Sequence, residues 1–246
     1  EHPLAKGREG LHTMNIVDQE PIAGMVVAGG AAGIAAALGS LLKSSFSTMP
    51  CSPPRRQKLV ATSTTSQVGL PVATCERITG HVDEVGMTSD MWRGVEEEPY
   101  ARDHYAEHHA PVEEVGFMVF EIDGHRLGYS PDGLVGDDGL IEIKCPRPAT
   151  HLATILADEV PVWHMAQIQC GLLVSGRKWL DFVSWSGGMP AFVKRVTPDP
   201  EWQTAIKAAL VAFEAEMDKA ITAYRAATDG LPATERTPDH AEMKVA

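Results

Sequence analysis

Residues 128–146 read GYSPDGLVGDDGLIEIKCP and set the acids Asp132 and Glu142 and the amine Lys144 among short apolar runs. Glu142 and Lys144 are two apart, so in a strand their side chains leave the same face. If Asp132 ends one strand and Glu142 lies in the next, the hairpin between them brings both carboxylates to one edge of a sheet. Metal-assisted hydrolysis of a phosphodiester asks for such a set. Rigid oxygen ligands suit octahedral Mg2+, with Mn2+ as substitute, and a nearby ammonium orients water and offsets charge on the phosphate. Ile143 faces the other way, into the core, and its backbone carbonyl is a further candidate ligand. The competing explanation is an ordinary hairpin, in which Asp132-Gly133 is turn chemistry and Glu142 and Lys144 are the polar alternation of a half-exposed strand.

The elements that must hold these residues can be read around them. Apolar runs at Phe117–Ile122, Leu127–Tyr129 and Leu140–Ile143, separated by Asp123-Gly124, Asp132-Gly133 and Asp138-Gly139, predict an antiparallel meander. Upstream, helices are expected over 67–80, stopping at Gly80, and over 89–109, opening at an N-cap-like Ser89 and carrying apolar or aromatic residues at Met91, Val95 and Tyr105. Downstream, a helix over 161–176, strands over 179–185 and 191–196, and a long amphipathic helix from about Glu201 to Ala227 follow. This order implies an α/β fold with a central mixed β-sheet flanked by α-helices. The 246 residues suffice for one sizeable core. Residues 1–20 read as a polar arm, 21–228 as one domain and 229–246 as a flexible tail.

A net charge of −12 argues against a surface that binds polyanions everywhere, yet leaves room for a local basic channel. Four cysteines, Cys51, Cys75, Cys145 and Cys170, form no C-x-x-C pair, which points to reduced thiols in a cytoplasmic protein rather than a zinc ribbon or a disulfide framework. His108, His109, His151 and His164 show no H-x-x-x-H spacing, so zinc is not expected. The run Ile22–Leu42 has no charge for 21 residues, but it is mostly Ala and Gly, which contribute little to membrane insertion. Without a signal-peptide pattern at its flanks, it is expected to be a buried strand or turn leading into a small-residue helix, with no membrane partner. The same run imitates a dinucleotide-binding turn. Ala28 stands where the first glycine is needed, and no acid-ended strand follows about 20 residues later, so nicotinamide and flavin chemistry is set aside.

The whole arrangement, SPDG followed by EIKCP, resembles the PD-(D/E)xK nuclease signature in the form used by phage lambda-type exonucleases of the viral recombinase family. MWRGVEEEPYARDHY resembles that family's helix before the core, in which a Glu four after Gly94 precedes x-x-A-R; Glu98 is the match. WHMAQIQCGLLVSGRKWLDFVSW resembles the helix and strand after the core, with Gln167 as the first Gln of Q-x-Q, and ERITG at 76–80 resembles the end of an earlier helix. The resemblance covers roughly 72–213 and implies a restriction-endonuclease-like core. It further implies Asp132, Glu142 and the Ile143 carbonyl as metal ligands, Glu98 as an additional ligand, Lys144 as the catalytic lysine and Gln167 as its positioning partner. Taken alone, Glu98 in EEE could equally be a solvated helix face, and Gln167 an ordinary helix–strand hydrogen bond.

By the same resemblance the protein is expected to be a Mg2+-dependent exonuclease that degrades the 5′-ended strand of linear double-stranded DNA and leaves 3′ overhangs. A homotrimeric ring, a single-strand annealing partner and a place in the bacterial host cytoplasm are implied with it. One departure concerns R-x-G-x-x-T-A-S, whose Arg and Ser hold the 5′-phosphate. With Gly24 on the motif glycine, Ile22, Val27 and Gly29 occupy the Arg, Thr and Ser positions, and Arg55, Arg56 and Lys58 are the nearest substitutes. Two rivals stand beside the exonuclease. One is an endonuclease of restriction or junction-resolving type, which shares the metal motif, and the other is a non-catalytic DNA-end-binding scaffold that the missing anchor suggests.

Overall fold

The apolar runs of the middle third become strands, but in two sheets rather than one meander. The computed structural model describes residues 15–17, 26–28, 64–81 and 88–236. Strands β3 (Phe117–Ile122) and β4 (His125–Tyr129) form a hairpin on Asp123 and Gly124, whose φ angles of 51° and 78° are those of a tight primed turn. Strand β1 (Asn15–Val17) adds antiparallel to β3, and β2 (Val26–Ala28) adds parallel to β4, giving the order β1-β3-β4-β2. Thus part of the expected N-terminal arm is a paired strand.

The second sheet has the order β5-β6-β7-β8, built from β5 (Gly133–Val135), β6 (Gly139–Lys144), β7 (Trp179–Ser184) and β8 (Phe192–Val196). β6 lies parallel to β7 and antiparallel to β5, so this sheet is mixed as well. Asp132-Gly133 is therefore not a turn: Gly133 opens β5, and the chain reverses at 136–138, where Gly136 has φ 54°. The reason is burial. Leu134 and Val135 are each 5% exposed, and Leu134 also exchanges backbone hydrogen bonds with Glu113.

β6 is covered on both faces, as expected of a central strand. Leu140 joins the main core with Met118, Leu127, Ile168, Leu172 and Leu210, whereas Ile141 and Ile143 join a second core with Ala101, Tyr105 and Val183. By strand parity Glu142 and Lys144 share the Leu140 face. Ile143 anchors the strand from the opposite side, as expected.

Five helices among the described residues cover the sheets: α1 (Thr64–Thr79), α2 (Ser89–His108), α3 (Pro148–Ala157), α4 (Val162–Ser175) and α5 (Pro200–Ala227). In α2 the N-cap is Thr88 rather than Ser89, its side chain accepting from the Met91 N–H at 3.2 Å. Its buried face is Ala101 and Tyr105, while Val95 is 56% exposed. α3 was not expected, although Pro148 is well suited to a first helical turn. The connection from β6 through α3 and α4 to the parallel β7 lays α4 across the sheet. α4 is largely buried from Ala166 onward and stops at Gly176, φ 65°. Asp199 caps α5 through the N–H groups of Glu201 and Trp202.

Of the charge-free run 22–42, Val26–Ala28 is β2; the expected helix, Ile22, Gly29, Arg55, Arg56 and Lys58 lie outside the described residues. Among the described residues no helix is long and apolar enough to cross a membrane. Cys75, Cys145 and Cys170 are free thiols.

Candidate active site

Extending the β5–β6 register by one pair, from Gly133 opposite Ile141, sets Asp132 opposite Glu142. Asp132 sits in the link between the two sheets, just ahead of β5, and its Oδ2 accepts from the Ile143 N–H at 2.6 Å. A strand residue's N–H and C=O leave by the same edge, so the Ile143 carbonyl also faces the Asp132 side. The two acids and that carbonyl thus converge at the end of β5, where the ladder stops.

Glu142 is only 1% exposed, and a buried carboxylate requires donors. Three reach it: Lys144 Nζ at 2.5 Å and Gln167 Nε2 at 2.6 Å on Oε1, and the Tyr129 hydroxyl at 2.8 Å on Oε2. Each comes from a different element: β6 itself, α4 across the sheet, and the end of β4. Gln167 reaches the centre because Glu142 lies on the α4 side of β6.

Glu98 approaches from α2. Its partner is Arg102, one turn on, at 2.5 Å, and the Arg102 Nε donates to the Asp132 backbone carbonyl at 2.8 Å. A third arm of the same guanidinium pairs with Glu114 at 3.0 Å. One side chain therefore fixes both the helix that carries Glu98 and the backbone that carries Asp132.

Electrostatics follow from this crowding. Burial raises the Asp132 carboxyl well above the usual carboxylate range, and the charges of Glu142 and Glu98 raise it further against the pull of Lys144 and the Ile143 N–H. Burial also raises Glu98, with Arg102 opposing. For Lys144 burial is the largest single influence and favours the neutral amine, but Glu142, Asp132 and Glu98 together outweigh it and leave a firmly protonated ammonium. Glu97, next to Glu98, holds a buried Oε2 that receives no hydrogen bond among the described residues.

The donor set is two carboxylates and a carbonyl, with a third carboxylate on α2, all hard oxygens. It fits a divalent ion that completes its shell with water. Among the described residues no group of three or more His, Cys, Asp or Glu side chains is gathered as a ready metal cage.

The structure brings Asp132, Glu142, Lys144 and Gln167 together, and Glu98 is tied to the Asp132 backbone through Arg102. The histidines are not part of the set. His151 is fully buried and tied to Ser184 Oγ at 2.8 Å and the Pro190 carbonyl at 3.0 Å, a structural role. His104, overlooked among the histidines, does stand at H-x-x-x-H spacing with His108, and the two rings stack at 4.1 Å on α2. His164 packs on Phe182, and burial together with Lys144 lowers it to about 4. Tyr129 and Arg102 escaped sequence reasoning; their signals were the Tyr three before Asp132 and the Arg that closes Y-A-R.

Comparison with known proteins finds a family and solved structures similar to this chain. The model of the YqaJ-like viral recombinase domain matches residues 32–178, a span that contains all five side chains. An alkaline exonuclease from Laribacter hongkongensis is 30% identical, with 85% of this chain and 96% of that one covered and a TM-score of 0.65. A second structure of that exonuclease, in complex with dAMP, has the same identity and coverage and a TM-score of 0.66. A phage-related exonuclease from Haemophilus somnus 129PT shares the fold at 13% identity, with 77% and 95% covered and a TM-score of 0.55. Among curated protein sequences none matches this chain. The chain is a member of the YqaJ-like viral recombinase family.

Proposed function

We propose that this protein is a divalent-metal-dependent DNA exonuclease acting on double-stranded ends. The observation that carries the reading is the Glu142 hub, where an ammonium, an amide and a phenol from three elements orient one buried carboxylate beside Asp132. Support comes from the family and from relatives that are named exonucleases.

Asp132, Glu142 and the Ile143 carbonyl would hold the ion, with Glu98 as a further oxygen donor. When bound, the ion supplies Lewis acidity toward the phosphate and a more acidic water. Lys144 contributes a fixed positive charge where the phosphate gathers negative charge as water attacks phosphorus. Gln167 shares Glu142 Oε1 with Lys144 and so sets the direction of the ammonium. Tyr129, fully buried, keeps the second oxygen of Glu142 from rotating away. Arg102 keeps Glu98 and the Asp132 backbone in register.

In the finer reading Mg2+ is the ion, with Mn2+ as substitute, and the 5′-ended strand is degraded to leave 3′ overhangs. The protein would work as a trimeric ring with a single-strand annealing partner, in the host cytoplasm, for phage-type recombination. The test is Mg2+-dependent digestion of linear duplexes labelled at either end, with and without a 5′-phosphate. Label should leave from 5′ ends, chelation should stop it, and Asp132→Ala and Lys144→Ala should each abolish it. Digestion of covalently closed circles would replace the reading by an endonuclease. A parent protein that releases nothing with Mg2+ or Mn2+ would refute catalysis.

A further inference from the structure

Trp163 is 63% exposed, although it stands beside the most enclosed chemistry of the molecule. It lies on the first turn of α4, four residues before Gln167, so the two side chains share one face of that helix. Gln167 reaches Glu142 from that face. The indole is also pinned: its Nε1–H donates to His164 Nε2 at 3.0 Å, and the His164 ring rests on Phe182 with centroids 5.4 Å apart. Phe182 is in turn the β7 neighbour of Glu142. A line of rings therefore runs from solvent to the strand pair that carries the carboxylate. The hydrogen bond uses up the only polar atom of the indole and leaves an oriented, unfilled aromatic surface.

Exposed aromatics beside a phosphodiester-cleaving centre have a natural occupant, because every nucleobase offers a flat face and stacks regardless of sequence. We propose that Trp163 is a stacking platform for a nucleobase of the DNA strand being cut, positioning the adjacent phosphodiester toward Lys144 and Gln167. This rests on the exonuclease reading. Trp163 is a positioning residue, so its loss weakens the hold on DNA more than the chemical step.

The test compares the parent, Trp163→Ala and Trp163→Phe on two linear duplexes, one intact and one whose terminal nucleotides are abasic. Kd is read by fluorescence anisotropy in Ca2+, and KM and kcat by nucleotide release in Mg2+. On intact ends Trp163→Ala should raise Kd and KM roughly tenfold, within the range of one base stacked on an aromatic ring, with a smaller change in kcat. Trp163→Phe should restore most of the loss, and on abasic ends the parent and Trp163→Ala should bind alike. An unchanged Kd on intact ends, or an equal loss on both duplexes, overturns the platform. So does a changed sedimentation mass with unchanged Kd, which would assign this face to a second copy of the chain. If the parent releases no nucleotide, the exonuclease reading falls, while the Kd comparison on intact and abasic ends still decides the platform.

Discussion

Gly171→Ala adds one methyl group at a point remote from any ligand atom, and its effect should appear in rate rather than in stability. A Cβ at this position of α4 would stand 2.6 Å from Tyr129 Cζ and 2.9 Å from Cε1 and Cε2. Carbon atoms settle at roughly 3.5–4.0 Å, so the ring must move by about 1 Å. Tyr129 is 0% exposed and cannot give way into solvent. Overpacking of this kind costs about 1–3 kcal/mol, and the better helix propensity of alanine returns about 1 kcal/mol, leaving a net loss of about 0–2 kcal/mol. The hydroxyl that moves with the ring is the donor to Glu142 Oε2. A displacement of about 1 Å in a catalytic array costs on the order of 100-fold in rate. Nucleotide release in Mg2+ should therefore fall by about 10- to 100-fold while the melting temperature changes by a few degrees. Tyr129→Phe, which keeps the ring and removes the hydroxyl, should lose rate comparably, and the double variant should be no worse than the weaker single one. A parental rate in Gly171→Ala, or additive losses in the double variant, refutes the route through Tyr129.

Three further outcomes follow from the described contacts. Asp132 is held protonated more tightly in the folded, metal-free chain than in the unfolded chain, so its ionisation costs stability above the folded pKa and that cost disappears as pH falls toward the ordinary Asp range. In chelator, Asp132→Asn should raise the melting temperature at neutral pH and flatten its rise on acidification; with Mg2+ the parent should gain stability and the variant should gain less. Arg102→Ala should raise the Mg2+ concentration for half-maximal rate by about 10- to 100-fold, as loss of a residue that orients ligands does, and Arg102→Lys should not rescue it because an ammonium cannot reach Asp132, Glu98 and Glu114 together. Asp181→Ala should cost about 1–3 kcal/mol in urea denaturation with the metal response intact, because the Tyr105 hydroxyl, bonded to Asp181 at 2.7 Å, is left buried without an acceptor.

The chemistry was more legible in the sequence than the scaffold. Glu142 and Lys144 are two apart, so strand parity puts them on one face, whereas Asp132 joins them through the β5–β6 register. Glu98 and Gln167 arrive from other elements, and only the family pattern connects them. Tyr129 looked like an ordinary apolar strand end, since its hydroxyl partner is thirteen residues away across a sheet boundary. The single meander failed at β5, because a three-residue strand entered through Asp-Gly cannot be told from a turn by local pattern; the backbone bonds of Leu134 with distant Glu113 decide it. α3 was hidden by Pro148, which punctuates as a loop signal unless it occupies a first helical turn.

Two of the three-residue strands, β1 and β2, set a boundary that family membership does not. The matched domain begins at residue 32, yet β1 and β2 lie at 15–17 and 26–28 and occupy the two outer positions of the first sheet. A protein trimmed to the matched span would bare the outer backbone of β3 and of β4, a pair of templates for intermolecular strand addition. β4 ends in Tyr129, so the loss would reach the Glu142 hub through its least replaceable donor. The edges of the first sheet and the Glu142 hub are in this sense joint dependents of six residues that precede the matched domain.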